Sequence, residues 1–486
     1  MKSDKVLTAT KWSVISEVIV KIISPVTTMI LARILDTEVF GIVASVTAIT
    51  SLADLLTDAG FNAYIIQHQF QNEQEKESSY NVCFWSNFTI SVTLYLVIFF
   101  NRNLFSALVG AGGYERALIV AALTLPLTSV SSIEQAIMKK ELRFQHVGLI
   151  RVVSKVIPLL TTIPLALSGF TYWSLILGTL IGEVVNVCLC LKFGGYIPKL
   201  CYSFSRLRTV FSFSIWAFME SILEWLIANI PILTLGTLYG MYYLGVFKTG
   251  INIISQIAAS VYALYSNVYK SAIAREQNSS KNFRNMLYNF QKYASIFSIP
   301  LGVGVFLYRD FVTNILLGSK WSEATTLIGL WGLTAMLSIA FGNFYSDAIR
   351  AKGYPRKLAA IDFVYLCVIL ALLANARRMS FRQFCVFFAL AKIIQPFLQI
   401  IVGRKICNAP FGAVVRNSLP QMFATAVMTA FTLLFKLNAL SSYRIQFLSI
   451  LGCILVYFLA LYAMHPERKK FLLYFRKYFS ESESSI

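Results

Sequence analysis

Ionisable residues inside long apolar runs are the first whose chemistry needs a reason. They are Glu17 and Lys21, Asp54 and Asp58, Lys155, Glu183, Glu220 and Glu224, Lys248 and Lys392. An ionised side chain near a bilayer centre costs about 2.5 to 3.5 kcal/mol on insertion scales, so each is expected to face a wet cavity or a partner. Lys21, Lys155, Lys248 and Lys392 are cations drawn from both halves of the chain, as a site for an anionic headgroup would require. Blander readings stand beside this one. Glu17 and Lys21 have i,i+4 spacing and can pair along one helix, and Lys155 and Lys248 can snorkel toward an interface. Glu220 and Glu224 share a helix face, where two carboxylates resist ionising together unless a cation intervenes. Glu17, Glu183, Glu220 and Glu224 therefore read either as acceptors for a coupling ion, H+ or Na+, or as salt bridges that latch one state. Asp54 and Asp58 read best as a gate latch to Lys or Arg.

The elements that position these residues follow from hydropathy. The chain has 486 residues, 57% of them hydrophobic and 14% charged, with mean hydropathy +0.65, which places nearly all of it in lipid. A helix of about 20 apolar residues crosses the hydrocarbon core and satisfies its own backbone, which lipid cannot do. Runs of that kind fall at roughly 12–32, 40–57, 82–100, 117–138, 147–167, 172–191, 210–235, 243–268, 293–308, 324–347, 359–373, 384–402, 421–435 and 447–464. The expected fold class is an all-α polytopic membrane protein with about 14 transmembrane helices. The first run is too long for a signal peptide core and no small-residue cleavage site follows it.

The net charge of +20 has two readings, nucleic-acid binding or membrane orientation. With the N-terminus inside, about 29 of the 43 Lys and Arg fall in cytoplasmic segments, about ten outside and about four within helices. The excess is thus an orientation signal, with both termini cytoplasmic and no nucleic-acid partner. The tail at 466–480 interleaves Lys and Arg with Phe, Leu and Tyr and is expected to lie on the anionic inner leaflet, with a solvated tail as the alternative.

Loops are short, and no acid/base cluster or Gly-Lys-Ser/Thr phosphate loop is present, which argues against an ATP-driven pump and leaves a membrane polymerase or glycosyltransferase as a distant alternative. Three scattered histidines and eight cysteines without metal spacing give no metal site. No catalytic residue and no cofactor are expected.

Leu31-Ala-Arg-Ile-Leu-Asp-Thr-Glu-Val-Phe-Gly41 corresponds to Leu235-Gly-Thr-Leu-Tyr-Gly-Met-Tyr-Tyr-Leu-Gly245. Each copy reads as a helix end, a turn, and a glycine opening the next span. The repeat predicts two pseudo-symmetric six-helix lobes, at 1–200 and 201–405, related about the membrane normal, a further helix pair at 406–465 and the basic tail at 466–486.

The order and spacing of several short segments carry a resemblance. They are Arg33-Ile-Leu-Asp-Thr-Glu-Val-Phe-Gly41, Asp58-Ala-Gly60 leading to Ile66-Gln67, Lys140-Glu-Leu-Arg-Phe144, Leu167-Ser-Gly-Phe-Thr-Tyr-Trp173, Leu244-Gly-Val-Phe247 and Gly318-Ser-Lys-Trp321. With Thr37 where proline is usual, the chain resembles the Wzx-type polysaccharide flippases of the multidrug/oligosaccharidyl-lipid/polysaccharide exporter superfamily. The resemblance implies a two-lobed bundle around a central cavity that moves an undecaprenyl-pyrophosphate-linked oligosaccharide across the bacterial inner membrane by alternating access. Its partners would be that lipid-linked oligosaccharide, membrane lipids and polysaccharide polymerase or export machinery. The alternatives within the superfamily are a multidrug exporter or a peptidoglycan-precursor flippase.

Overall fold

The computed structural model describes residues 2–58, 60–277, 279–438 and 443–464, so the expected basic tail lies outside the described residues. Every regular element among them is helical. In chain order they are α1 (Lys2–Ile34), α2 (Thr37–Asp58), α3 (Phe61–Gln67), α4 (Glu73–Phe100), α5 (Arg102–Leu108), α6 (Glu115–Ala122), α7 (Thr124–Lys140), α8 (Phe144–Leu167), α9 (Thr171–Gly194) and α10 (Phe204–Tyr239). Then follow α11 (Met241–Arg275), α12 (Ser280–Leu307), α13 (Arg309–Leu316), α14 (Thr325–Leu337), α15 (Asn343–Ala351), α16 (Pro355–Asn375), α17 (Phe381–Ala391), α18 (Ile394–Ile406), α19 (Phe411–Asn438) and α20 (Tyr443–Met464).

Among the described residues, 12 helical segments are long and apolar enough to cross a membrane. Each matches an expected span. The two expected spans outside that set, at 12–32 and 421–435, fall on α1 and α19, which are helical over those residues.

The chain divides into two compact units. The first holds residues 1–260, 316–324 and 362–388; the second holds 261–315, 325–361 and 389–486. In the first, α8 packs on α1 and α9, and α2 packs on α4, α6, α7, α9 and α10. Small residues permit the α8–α9 approach: a Cβ on Gly178 would lie 1.8 Å from Thr162 Oγ1, and one on Gly182 would lie 2.4 Å from the Pro158 ring. Lipid offers apolar spans no reason to leave it for each other, so close backbone approach and dispersion must hold such pairs together. In the second unit, α12 packs on α14 and α19, and α19 on α20, around a core that includes Ile296, Tyr308, Ala424, Met428, Cys453 and Tyr457.

The segments that carry the resemblance are turns and caps. Lys140 donates to the carbonyls of Ile65, at 2.8 Å, and His68. Arg143 donates to those of Gly194, at 2.7 Å, and Phe193. The two cations thus satisfy the last, otherwise orphaned carbonyls of α3 and α9. Trp321, fully buried, donates from its indole N–H to Ala32 O at 2.9 Å and meets Phe40 edge-on at 5.2 Å, while Lys320 pairs with Asp36 at 2.7 Å. The turn at 318–321 therefore clamps the α1–α2 connection.

Candidate functional site

Helix α2 has two unlike ends. At its start, Gly41 and Gly245 meet: a Cβ on Gly41 would lie 1.9 Å from Met241 O and 3.1 Å from Gly245 N, and one on Gly245 would lie 2.0 Å from Thr37 O. The repeat-related glycines are thus in mutual backbone contact, one from each expected lobe but both inside the first compact unit. One turn further on, buried Ser45 donates to Val109 O at 3.2 Å and lies 3.5 Å from Met241 Sδ. Only hydrogen fits between these backbones, so this end of α2 is dry.

At the other end, α2, α3, α4, α7, α9 and α10 line a polar cavity of about 460 Å³. Asp54, Asp58, Glu183 and Lys139 bring charge to its lining; Asn62, Asn87, Thr128, Ser131, Ser132, Gln135 and Asn186 bring neutral polar groups. Thr128 Oγ1 donates to Asp54 Oδ1 at 2.8 Å, and the Asn62 N–H donates to Asp58 Oδ1 at 3.1 Å. The second bond depends on Gly60, whose φ of 83° turns the chain sharply enough to start α3 beside the end of α2. Ser131 Oγ and Asn186 Nδ2 both donate to Glu183 Oε1, each at 2.8 Å. Gln135 Nε2 holds Asn186 by its Oδ1 at 3.0 Å. Neither Asp54 nor Asp58 forms an ion pair among the described residues, so the expected latch is not closed in this conformation.

The irregular segment at 195–203 straps α4. Tyr196 Oη and Lys199 N–H both donate to Asn81 Oδ1, at 2.6 and 2.9 Å, and Trp85 donates to Lys199 O at 2.8 Å. Arg206 pairs with Glu75 at 2.9 Å. Lys199 also pairs with Glu77, whose hydrogen bond and charge hold the ammonium above its ordinary pKa.

The other expected site residues are dispersed. Lys21 pairs with Glu17 at 2.8 Å along α1. Lys155 is exposed on α8. Lys392, in the second unit, donates to Gln395 Oε1 at 2.8 Å and lies 5.8 Å from the Trp331 ring. Lys248 is half-buried on α11 with no hydrogen-bond or ion-pair partner among the described residues, which leaves three ammonium donors for an anion. Glu220 is half-buried and Glu224 exposed on α10. None of the four lysines lines the polar cavity.

Glu134 was missed by reading charges from sequence. It is 2% exposed, its Oε2 has no hydrogen-bond partner, and Gly194 packs against its carboxylate. The second unit contains a contrasting cleft of about 340 Å³ between α12, α19 and α20, lined by residues such as Pro300, Gly304, Met428 and Ile454 and by no charged residue. A further pair there joins Asp347 to Lys270 at 3.7 Å, with the Tyr262 hydroxyl donating to the same carboxylate.

A sequence profile of the family described as "Polysaccharide biosynthesis protein" matches residues 30–326. The chain is similar to the lipopolysaccharide biosynthesis protein WzxC of Escherichia coli (strain K12), at 24% identity over 72% of this chain and 70% of the relative. It is also similar to the teichuronic acid biosynthesis protein TuaB of Bacillus subtilis (strain 168), at 21% identity over 72% of each. Among solved structures, the inward closed conformation of the lipid II flippase MurJ matches with a TM-score of 0.74 at 15% identity, covering 92% of this chain and 97% of that one. That likeness establishes the fold.

Proposed function

Because the chain belongs to the family described as "Polysaccharide biosynthesis protein", we propose that it is a flippase for undecaprenyl-pyrophosphate-linked oligosaccharide repeat units in the bacterial inner membrane. It moves the glycan from the cytoplasmic to the periplasmic leaflet for surface polysaccharide assembly and makes no covalent bond. The names of its relatives place them in lipopolysaccharide and teichuronic acid biosynthesis, which supports a surface glycan as cargo.

The observation that carries the reading is the asymmetry of α2, sealed at Gly41 and open to a polar cavity at Asp54 and Asp58. With the N-terminus cytoplasmic, the sealed end is periplasmic and the cavity is on the cytoplasmic side, as a loading state requires. Alternating access then consists of parting the Gly41–Gly245 contact while the other end closes, with the lobes at 1–200 and 201–405 as the moving bodies. Asp54, Asp58 and Glu183 would latch the closed cytoplasmic end or take a coupling ion.

Lys248 is the residue we assign to the pyrophosphate. A half-buried ammonium with no internal partner gains most from an anion, because it has no existing ion pair to break. Lys21 is already neutralised by Glu17.

The test is removal of the protein followed by identification of the lipid that accumulates in the inner leaflet. Accumulation of an undecaprenyl-pyrophosphate oligosaccharide supports the reading. Accumulation of a peptidoglycan precursor, or loss of resistance to organic cations with no lipid accumulating, would replace it with one of the superfamily alternatives.

A further inference from the structure

The polar cavity at the end of α2 has the wrong charge for a phosphate. Asp54, Asp58 and Glu183 outnumber Lys139 on its walls, so the field there repels the pyrophosphate that the transported lipid would carry. Each of these carboxylates has one oxygen fixed by the protein: Asp54 by Thr128, Asp58 by the Asn62 amide, and Glu183 by Ser131 and Asn186. The second oxygen of each carries no hydrogen bond to the described residues and remains an acceptor.

A second, independent observation comes from α4. Asn87 lines the same cavity and is 1% exposed. Its Nδ2 donates to Ser132 Oγ at 3.2 Å, while its Oδ1 has no partner. Ser132 thereby fixes the amide with its carbonyl as the spare group. A buried carbonyl in a membrane protein is expected to be bonded, so this one is an unspent acceptor in the cavity wall.

The partner for this acceptor could belong to a cation or to a hydroxyl-rich molecule. Size favours the second. About 460 Å³ falls within the roughly 300 to 1,000 Å³ class of small-molecule pockets and is far more than a dehydrated ion fills. Nor do three His, Cys, Asp or Glu side chains among the described residues converge as a metal site would need. The spare groups on the lining are acceptors, the second oxygens of the three carboxylates and the Asn87 carbonyl, set among amides and hydroxyls that the protein itself holds in place, a surface suited to the O–H groups of a sugar. Phe218 supplies an apolar wall for the carbon face of a ring.

Resting on the flippase reading above, we propose that this cavity is the subsite for the first sugar of the lipid-linked glycan, and that it selects a neutral sugar over a uronate. The pyrophosphate would lie outside it, away from the three carboxylates.

The test uses the full chain in lipid nanodiscs and equilibrium binding of three probes: bare undecaprenyl pyrophosphate, the same lipid carrying one glucose, and the same lipid carrying one glucuronate. Wild type is expected to bind the glucosyl lipid about tenfold more tightly than the bare lipid, since a site built to hydrogen-bond hydroxyls rejects a ligand lacking them, and to disfavour the glucuronyl lipid, whose carboxylate meets Asp54, Asp58 and Glu183. Asn87→Leu and Asp54→Asn should each narrow the preference for the glucosyl lipid over the bare lipid. Lys248→Ala should weaken all three probes together. If wild type binds the bare and glucosyl lipids equally, or if the Asn87 and Asp54 variants weaken both equally, the sugar subsite is wrong and the flippase reading stands. If those variants lose radiolabelled sodium binding and keep the preference for the glucosyl lipid, the cavity is a cation site and the proposal is overturned. If wild type binds none of the three lipids, the flippase reading falls and the subsite falls with it.

Discussion

The two ends of α2 lie on one 22-residue helix and obey opposite rules. At the Gly41 end, packing is backbone on backbone, with Gly245, Met241 and Thr37 leaving no room for a single added carbon. At the Asp54 and Asp58 end, the same helix faces a cavity whose walls carry three carboxylates, a lysine and a set of hydroxyls and amides. Dry contact between small residues is held by dispersion and forms or parts as a unit, while a polar wall can stay wet and wait for a ligand. A helix that is closed at one end and open at the other is what alternating access needs.

The largest effect is expected at the closed end of α2. Gly41→Leu forces a side chain into Met241 O, and overpacking of this kind costs about 1 to 3 kcal/mol. Glycan export measured in cells should be abolished and the melting temperature of the purified protein should fall; normal export with an unchanged melting temperature would show that the contact is not used. A smaller but still large loss is expected from Lys248→Ala, with Lys155→Ala as its counterpart. Binding of undecaprenyl pyrophosphate should weaken about tenfold or more for the first, because a charge-assisted hydrogen bond is lost. It should be unchanged for the second, whose side chain is already in the surroundings.

The open end is sharpened by Asp58→Asn. The Asn62 amide can still donate to the new side-chain carbonyl, so the turn into α3 survives while one negative charge leaves the cavity. Transport measured in reconstituted vesicles should slow several-fold, whereas the melting temperature should hold. The smallest effect belongs to Lys21→Ala. An i,i+4 pair contributes about 0.2 to 0.5 kcal/mol, and the exposure of Lys21 and Glu17, 29% and 39%, reduces it further. Export within about twofold of wild type is expected; loss of export would return Lys21 to the headgroup site.

How far the sequence could be read follows from the same physics. The apolar runs fell on helices because lipid leaves a spanning chain few other choices. The break between α6 and α7, and the π-turn at Ser338–Gly342 that joins α14 to α15, carried no hydropathy signal, since each falls inside one of the expected spans, 117–138 and 324–347. Asp54, Asp58 and Glu183 were legible as charges out of place, and the structure gathers them at one cavity. Asn87, Asn186 and the α7 stripe Thr128, Ser131, Ser132 and Gln135 were missed, because neutral polar groups cost much less in a span and do not stand out singly. Their spacing of three, four and seven residues would have marked one polar face of α7. The headgroup lysines were chosen by charge alone, and charge does not reveal a partner: Lys21 had Glu17, Lys392 had Gln395, and Lys248 had none among the described residues. The repeat that suggested two lobes rested on only two identities, Leu31/Leu235 and Gly41/Gly245. One of those identities proved to be the contact itself.

Alternating access requires the Gly41–Ser45 end of α2 to part from α11 in each transport cycle. Ser45→Cys with Met241→Cys, in a background whose eight native cysteines are replaced, puts a removable tie across that contact, since Ser45 Oγ and Met241 Sδ are 3.5 Å apart. In reconstituted vesicles the oxidised protein should still bind the lipid-linked oligosaccharide and fail to move it across, and reductant should restore translocation. Translocation at the full rate with the tie intact would contradict the account.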